Sequence, residues 1–222
     1  MGEQMKTKKT IRIVILALTI FISGLISPME KSQASQKYVV ELIKVKAKTN
    51  GPKEVRKIKH TSYCDKDMVA HEVITATNKK GKVLWKYKCA LHPSTQYPST
   101  SMCVKKNKVY IMDGNLLVIK KKNSGKTLKR MQLDCYGNGA VTVDNKGNIY
   151  ALSADGGEVF KYSPKGRILW YNQDLDGGGG YKLRLKKGRV QVYFDYCNFD
   201  YAVLDKKTGE LITYVYSKKN SK

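Results

Sequence analysis

Past residue 34 the chain has no apolar run long enough to cross a bilayer, which takes about 20 residues. It also has no stretch in which apolar side chains recur at the helical period of about 3.6 residues. The first absence excludes an integral helical membrane protein for that part of the chain, and the second excludes α-rich folds. There is no Gly-x-Ser-x-Gly and no His-Glu-x-x-His, and only 3 histidines, so the usual serine-hydrolase and zinc-protease signatures are missing. Acidic side chains are scarce as well. Against 42 Lys and Arg stand 18 Asp and Glu, a formal net charge of +24. A surplus of that size favours contact with a polyanion, and it is also what an AT-rich coding composition yields, with lysines keeping turns soluble.

The one long apolar run lies at the start. Lys6, Lys8, Lys9 and Arg12 precede Ile13 to Ile26, followed by Pro28 and a Ser-Gln-Ala ending at Ala34. A basic head, a short apolar middle and small residues at the cut site predict a signal peptide over 1–34, and hence a secreted or cell-envelope-associated product. An uncleaved anchor is the alternative. Five cysteines in an exported chain leave at least one unpaired within a monomer.

The mature part repeats. "HEVITATNKKGKVLWKYK", "NLLVIKKKNSGKTLKRMQL", "GEVFKYSPKGRILWYNQDL" and "FDYAVLDKKTGELITYVYS" each set two alternating strands around a polar turn, and their turn glycines Gly81, Gly125, Gly166 and Gly209 are spaced by 44, 41 and 43 residues. That alternation predicts β-hairpins. A second hairpin, with Val109, Ile149 and Val190 spaced by 40 and 41, lies between the copies. Two hairpins per period make four antiparallel strands, the size of one propeller blade. The expected fold is therefore all-β, a small propeller of about four blades near 38–88, 99–133, 139–173 and 180–217 within a domain at 35–222. The ring is either closed or an open arc that closes in an oligomer. The first blade, assembled from "YVVELIKVKAK" and "EVRKIKHTSY" with the opening hairpin, is the least regular. Trp85 and Trp170 are expected to fill the space between blades.

Copies ending in "TGEL", "GKVLW" and "GRILW" resemble the pyrroloquinoline-quinone-like, or quinoprotein-like, propeller repeat, whose Ala-x-Asp-x-x-Thr-Gly-Lys-x-x-Trp signature docks each blade on the next. Ala76, Asn78, Gly81, Lys82 and Trp85 approach it with one turn residue missing. Asp205, Thr208 and Gly209 keep its middle and put Thr213 in place of the Trp. "DNKGNIYAL" is also similar to the inner hairpin of other extracellular propellers of the WD40 and YVTN-like kind. The likeness spans 71–217. Enzymes of that family hold a quinone and calcium above two adjacent cysteines. This chain has no adjacent pair and about half the blades, so the resemblance implies the fold without the quinone cofactor.

In an antiparallel meander, connections alternate between the two ends of the sheet. The turns inside hairpins hold Lys79, Lys80, Lys82, Lys106, Lys108, Lys126, Lys165, Lys187 and their like, against Asp144, Asp205 and Glu210. The loops between hairpins hold Asp113, Asp134, Asp155, Asp174, Asp176, Asp195 and Asp200 with Tyr196 beside them. One end should be basic and the other acidic. The acidic loops are the candidate ligand site, with Asp113, Asp155, Asp174, Asp176, Asp195, Tyr196 and Asp200 as its residues. "DLDGGGG" at 174–180 offers Asp174 and Asp176 to a calcium ion, or lets the chain turn tightly into an innermost strand. His60-x3-Cys64 and Cys89-x2-His92 have spacings a zinc site could use, while a Cys64–Cys89 disulfide is the simpler outcome. The function expected is an exported, non-catalytic binding module. Its basic end faces an anionic envelope polymer or membrane surface, and its acidic end faces a ligand or protein partner. No specific nucleic acid is expected as a partner. The alternative is a small hydrolase or lyase acting on an envelope glycan through Asp174, Asp176, Asp195 or Asp200.

Overall fold

The computed structural model describes residues 37–46, 51–65, 69–90, 100–135, 139–153 and 156–216. The chain divides into Met1–Gln33 and Ala34–Lys222, and all described residues belong to the second unit. The signal-peptide reading therefore lies outside them.

Among the described residues sixteen strands form four antiparallel sheets, each a simple meander. The first blade holds β1 (Lys37–Lys44), β2 (Lys57–Cys64), β3 (Ala70–Thr77) and β4 (Val83–Lys88). The second holds β5 (Thr100–Lys105), β6 (Lys108–Asp113), β7 (Leu116–Lys121) and β8 (Thr127–Gln132). In the third are β9 (Ala140–Val143), β10 (Ile149–Leu152), β11 (Val159–Tyr162) and β12 (Ile168–Asn172). The fourth has β13 (Gly178–Lys186), β14 (Arg189–Tyr196), β15 (Tyr201–Asp205) and β16 (Leu211–Val215). This is the four-bladed all-β propeller that the repeat predicts, including the irregular first blade, whose β1 and β2 lie largely in "YVVELIKVKAK" and "EVRKIKHTSY".

Alternation along each strand sends one set of side chains to each neighbouring blade. Val109, Ile111 and Val118 of the second blade pack on Ile58, Ile74, Ala76 and Trp85 of the first. Tyr110, Met112, Leu117 and Ile119 face the third, and Tyr150, Leu152, Val159 and Trp170 carry the third onto the fourth. Strand β10, covered on both faces, is buried at all four positions, whereas the outermost β8 is largely exposed. Among the described residues three apolar clusters fill the three spaces between consecutive blades, and none joins the fourth blade to the first.

The turns inside hairpins are locked by short polar side chains. Asn78 Oδ1 accepts from the amides of Lys80 and Lys82, Ser163 Oγ from that of Arg167, and Asp205 Oδ1 from those of Lys207 and Thr208. Asp144 does the most. Its Oδ1 accepts from the amides of Lys146 and Asn148, and its Oδ2 takes the Asn148 side-chain amide, the Tyr150 hydroxyl and, at 3.8 Å, the Lys206 ammonium. Burial alone would raise its pKa, but the Asn148 bonds and the Lys206 charge outweigh that, and the carboxyl is held below its ordinary value. A depressed pKa in the folded state gives stability that is present above the unfolded value of about 3.9 and is lost as pH falls through the folded one. Acid melts should therefore show an extra loss below about pH 4 in the wild type that is smaller in Asp144→Asn, itself less stable at neutral pH.

Candidate functional site

The interblade packing places the hairpin turns together at one end of the molecule. Trp85 Nε1–H donates to Lys122 O at 2.6 Å, and Trp170 Nε1–H to Lys206 O at 3.2 Å, so each Trp on an outer strand caps the turn of the next blade. Lys129 stands where the second blade would carry its Trp, and its ammonium reaches Pro164 O at 3.2 Å. In the fourth blade Thr213 fills that place and bonds its own neighbour, Tyr214 O. Gly125 and Gly209 are the sockets. A Cβ on either would stand 2.5 or 2.6 Å from the indole, and both have positive φ. The same position in the first blade, Gly81, has open space around it.

This end is basic. Lys79, Lys80, Lys82, Lys106, Lys108, Lys126, Lys146, Lys165, Arg167, Lys186, Lys187 and Lys207 are exposed, while Lys120 and Lys122 are buried and add little to the surface charge. Lys120 donates to Thr127 Oγ1 and lies over the Tyr87 ring, and burial lowers its pKa. Of the acids named for this end, Asp144 and Asp205 are bound into their turns, and exposed Glu210 accepts from Thr208 Oγ1.

The opposite, loop end sorts the acidic residues into different roles. Asp113 is buried, and its Oδ2 accepts from Tyr87 OH and Ala90 N, both at 2.8 Å. It ties the first blade to the second, an interior carboxylate engaged by both groups. Asp155 lies outside the described residues. Asp174 and Asp200 are exposed, with their amides bonded to Asn172 Oδ1 and Val215 O. Asp195 and Tyr196 end β14, and Tyr196 is 72% exposed. The structure brings two of the expected residues together: Asp176 and Tyr196 line a recess of about 430 Å³ with Cys197, Asn198, Phe199, Tyr214 and Tyr216. Asp176 is anchored there by its amide, which donates to Tyr214 OH at 3.1 Å, and the Phe199 and Tyr214 rings meet tilted with centroids 4.3 Å apart. Of the acids considered for catalysis, only Asp176 lines this recess.

The glycine run serves the backbone. Gly178, Gly179 and Gly180 open the innermost strand β13, and a Cβ on Gly180 would stand 2.9 Å from Ser153 O and 3.0 Å from Leu152. The strand passes so close to the third blade that no side chain fits.

A second cluster lies in the first blade, toward the same loop end and on the face turned to the second blade. His60 of β2 and Glu72 of β3 meet at 3.0 Å, Nε2 to Oε2, with the His 1% exposed. Cys89, just beyond β4, completes the group, and one ligand atom from each of the three lies within 4.8 Å of the others. Cys64 is outside the cluster, and His92 is outside the described residues. The cysteines at 64, 89, 103, 135 and 197 are free thiols. The two cysteines of the expected disulfide stand apart in role: Cys64 ends β2, and Cys89 lies within reach of His60 and Glu72. The residue that sequence spacing missed is Glu72, which only the β2–β3 register, Ser62 opposite Glu72, carries to the neighbourhood of His60. Burial pushes the Cys89 thiol up to about 12, the nearby Thr100 hydroxyl opposing and the Asp113 and Glu72 charges adding; burial likewise pushes Cys135 up to about 12. In alkylation at pH 8 these two should react on the order of 100-fold more slowly in the folded protein than after denaturation. Half-exposed Cys197 should be modified before either, which peptide mapping over time would read out.

No family model matches the sequence, and no curated protein matches it. Solved structures do. A protein of unknown function from Bacteroides caccae aligns with a TM-score of 0.51 at 14% identity, over 72% of this chain and 57% of that one. The WD40 domain of Neurospora crassa Pan2 aligns with a TM-score of 0.49 at 13% identity, over 71% of this chain and 49% of that one. The chain thus spans about half the length of these neighbours. At such identities the likeness is one of fold alone.

Proposed function

We propose that this chain is an exported, non-catalytic binding module of the quinoprotein-like propeller kind. Its hairpin-turn end rests on an anionic envelope surface, and its loop end receives a partner. The observation that carries the reading is the separation of charge by end. Trp85, Lys129 and Trp170 tie the hairpin turns of successive blades together, and those turns present exposed lysines whose few local acids are already bound into the turns. A face of this kind gains about 1 kcal/mol per lysine brought close to an anionic membrane. The recess of Asp176, Tyr196, Phe199 and Tyr214 at the loop end combines aromatic surface with a carboxylate, which suits a basic or amphipathic partner group better than an anion. The docking of each Trp on the following turn is what the quinoprotein-like signature does in that family, and this supports the family assignment.

Co-sedimentation of the purified protein with phosphatidylglycerol vesicles and with phosphatidylcholine vesicles, at low and high salt, tests the reading. Binding to the anionic vesicles alone, lost steeply as salt rises, is the expected result. Equal binding to both lipids, or binding that salt leaves unchanged, overturns it.

A further inference from the structure

We propose that His60, Glu72 and Cys89 bind a divalent transition metal of the zinc class, at the seam between the first and second blades. The three residues come from consecutive stretches of the first sheet, on β2, on β3 and directly after β4, so the pleated register itself brings them together. One imidazole, one carboxylate and one thiol form a donor set for zinc rather than calcium, which takes oxygen ligands only.

The dimensions fit. Zinc bonds of about 2.0–2.3 Å in a tetrahedron hold ligand atoms roughly 3.3–3.7 Å apart. Here the donor atoms already lie within 4.8 Å of one another, and His60 Nε2 and Glu72 Oε2 are 3.0 Å apart. A metal ion takes the place of the proton that the imidazole and the carboxylate share, and the sulfur closes in by about 1 Å. The charges fit as well. A thiolate and a carboxylate neutralise a divalent cation, which matters where His60 is 1% and Cys89 8% exposed.

The surroundings add an independent indication. Thr100 Oγ1 is buried with no hydrogen-bond partner in the structure, and its hydroxyl lies near enough to Cys89 to favour the thiolate. A buried hydroxyl left over at a thiol has an explanation if the sulfur is a metal-bound thiolate that accepts that proton, the kind of outer support that orients a ligand. Cys89 N also donates to Glu72 O at 2.9 Å, so two of the three ligands are already fixed to each other through the backbone. The metal would fasten the end of β4 to β2 and β3 where the chain leaves for the second blade. It would stabilise the blade whose strands are least regular in sequence.

Cobalt(II) titration of the reduced full chain tests this directly. The expected result is one equivalent bound, with a thiolate-to-cobalt charge-transfer band and intense tetrahedral d–d bands, all displaced by zinc. Cys89→Ala should abolish the charge-transfer band, while Cys64→Ala and Cys197→Ala leave it in place. Glu72→Gln, which keeps the side-chain volume, should weaken cobalt binding at least 10-fold and retain the thiolate band at saturation; it decides the matter even where Cys89→Ala fails to fold. Absence of a charge-transfer band in the folded wild type, a band that survives Cys89→Ala, or unchanged affinity in Glu72→Gln would overturn the proposal.

Discussion

Replacing Trp85 by alanine should cost the fold about 3–5 kcal/mol, the range for removing a buried large aromatic, and lower the melting temperature by on the order of 10 °C. The loss has two parts: the indole that fills the seam between the first and second blades, and the buried bond from Nε1–H to Lys122 O at 2.6 Å. Glycine variants separate docking from backbone strain. Gly125→Ala and Gly81→Ala both put a side chain at positive φ, which costs about 1–2 kcal/mol. Only Gly125 would also drive its Cβ to 2.5 Å from the Trp85 ring. Gly125→Ala should therefore be clearly the more destabilising of the two, and most of the excess should vanish in the Trp85→Ala background. Chemical denaturation of the four variants checks this. Equal costs at the two glycines would mean that the indole does not hold the turn.

Neutralising Lys79, Lys80, Lys82, Lys106 and Lys108 to glutamine should weaken binding to anionic vesicles by up to about 5000-fold, at about 1 kcal/mol per lysine near the surface. These side chains are exposed, belong to turns of the first and second blades, and have no described carboxylate partner that would be left unpaired. Stability should change by less than about 0.5 kcal/mol in total per site, as for other surface changes. The companion variant Asp174→Asn/Asp200→Asn at the loop end should leave vesicle binding unchanged or strengthen it slightly. Vesicle titrations at fixed low salt compare the two.

Much of the architecture is legible in the sequence because a propeller blade is a local object. Alternation, turn chemistry and a fixed period of glycines identify the hairpins and their order, and the order alone sorts Lys79 and Lys126 to one end and Asp176 and Asp200 to the other. Interblade contacts are less legible, since they depend on which face of a strand meets which neighbour. Trp85 and Trp170 are readable as spacers from their repeat position, but Lys129 doing the same task in the second blade is not, because its type gives no hint of it. The acidic residues show the same limit. Asp113 reads as one more loop aspartate, yet it stands at the last position of β6, where the Tyr87 hydroxyl and the Ala90 amide cover it. The His60, Glu72 and Cys89 group is visible only in part from spacing. Cys64 and His92 are nearer in sequence to their presumed partners, but the register of β2 with β3 selects Glu72 instead.

The orientation of the molecule on an anionic surface is the central claim, and a lysine-acylation footprint on phosphatidylglycerol vesicles measures it most directly. The account predicts protection at Lys79, Lys80, Lys106, Lys126, Lys165 and Lys187, all exposed at the hairpin-turn end, with Lys88 at the loop end of β4 reacting as fast as in free protein. Protection of Lys88 equal to that of the turn lysines, or no protection at the turns while the protein is bound, would contradict it.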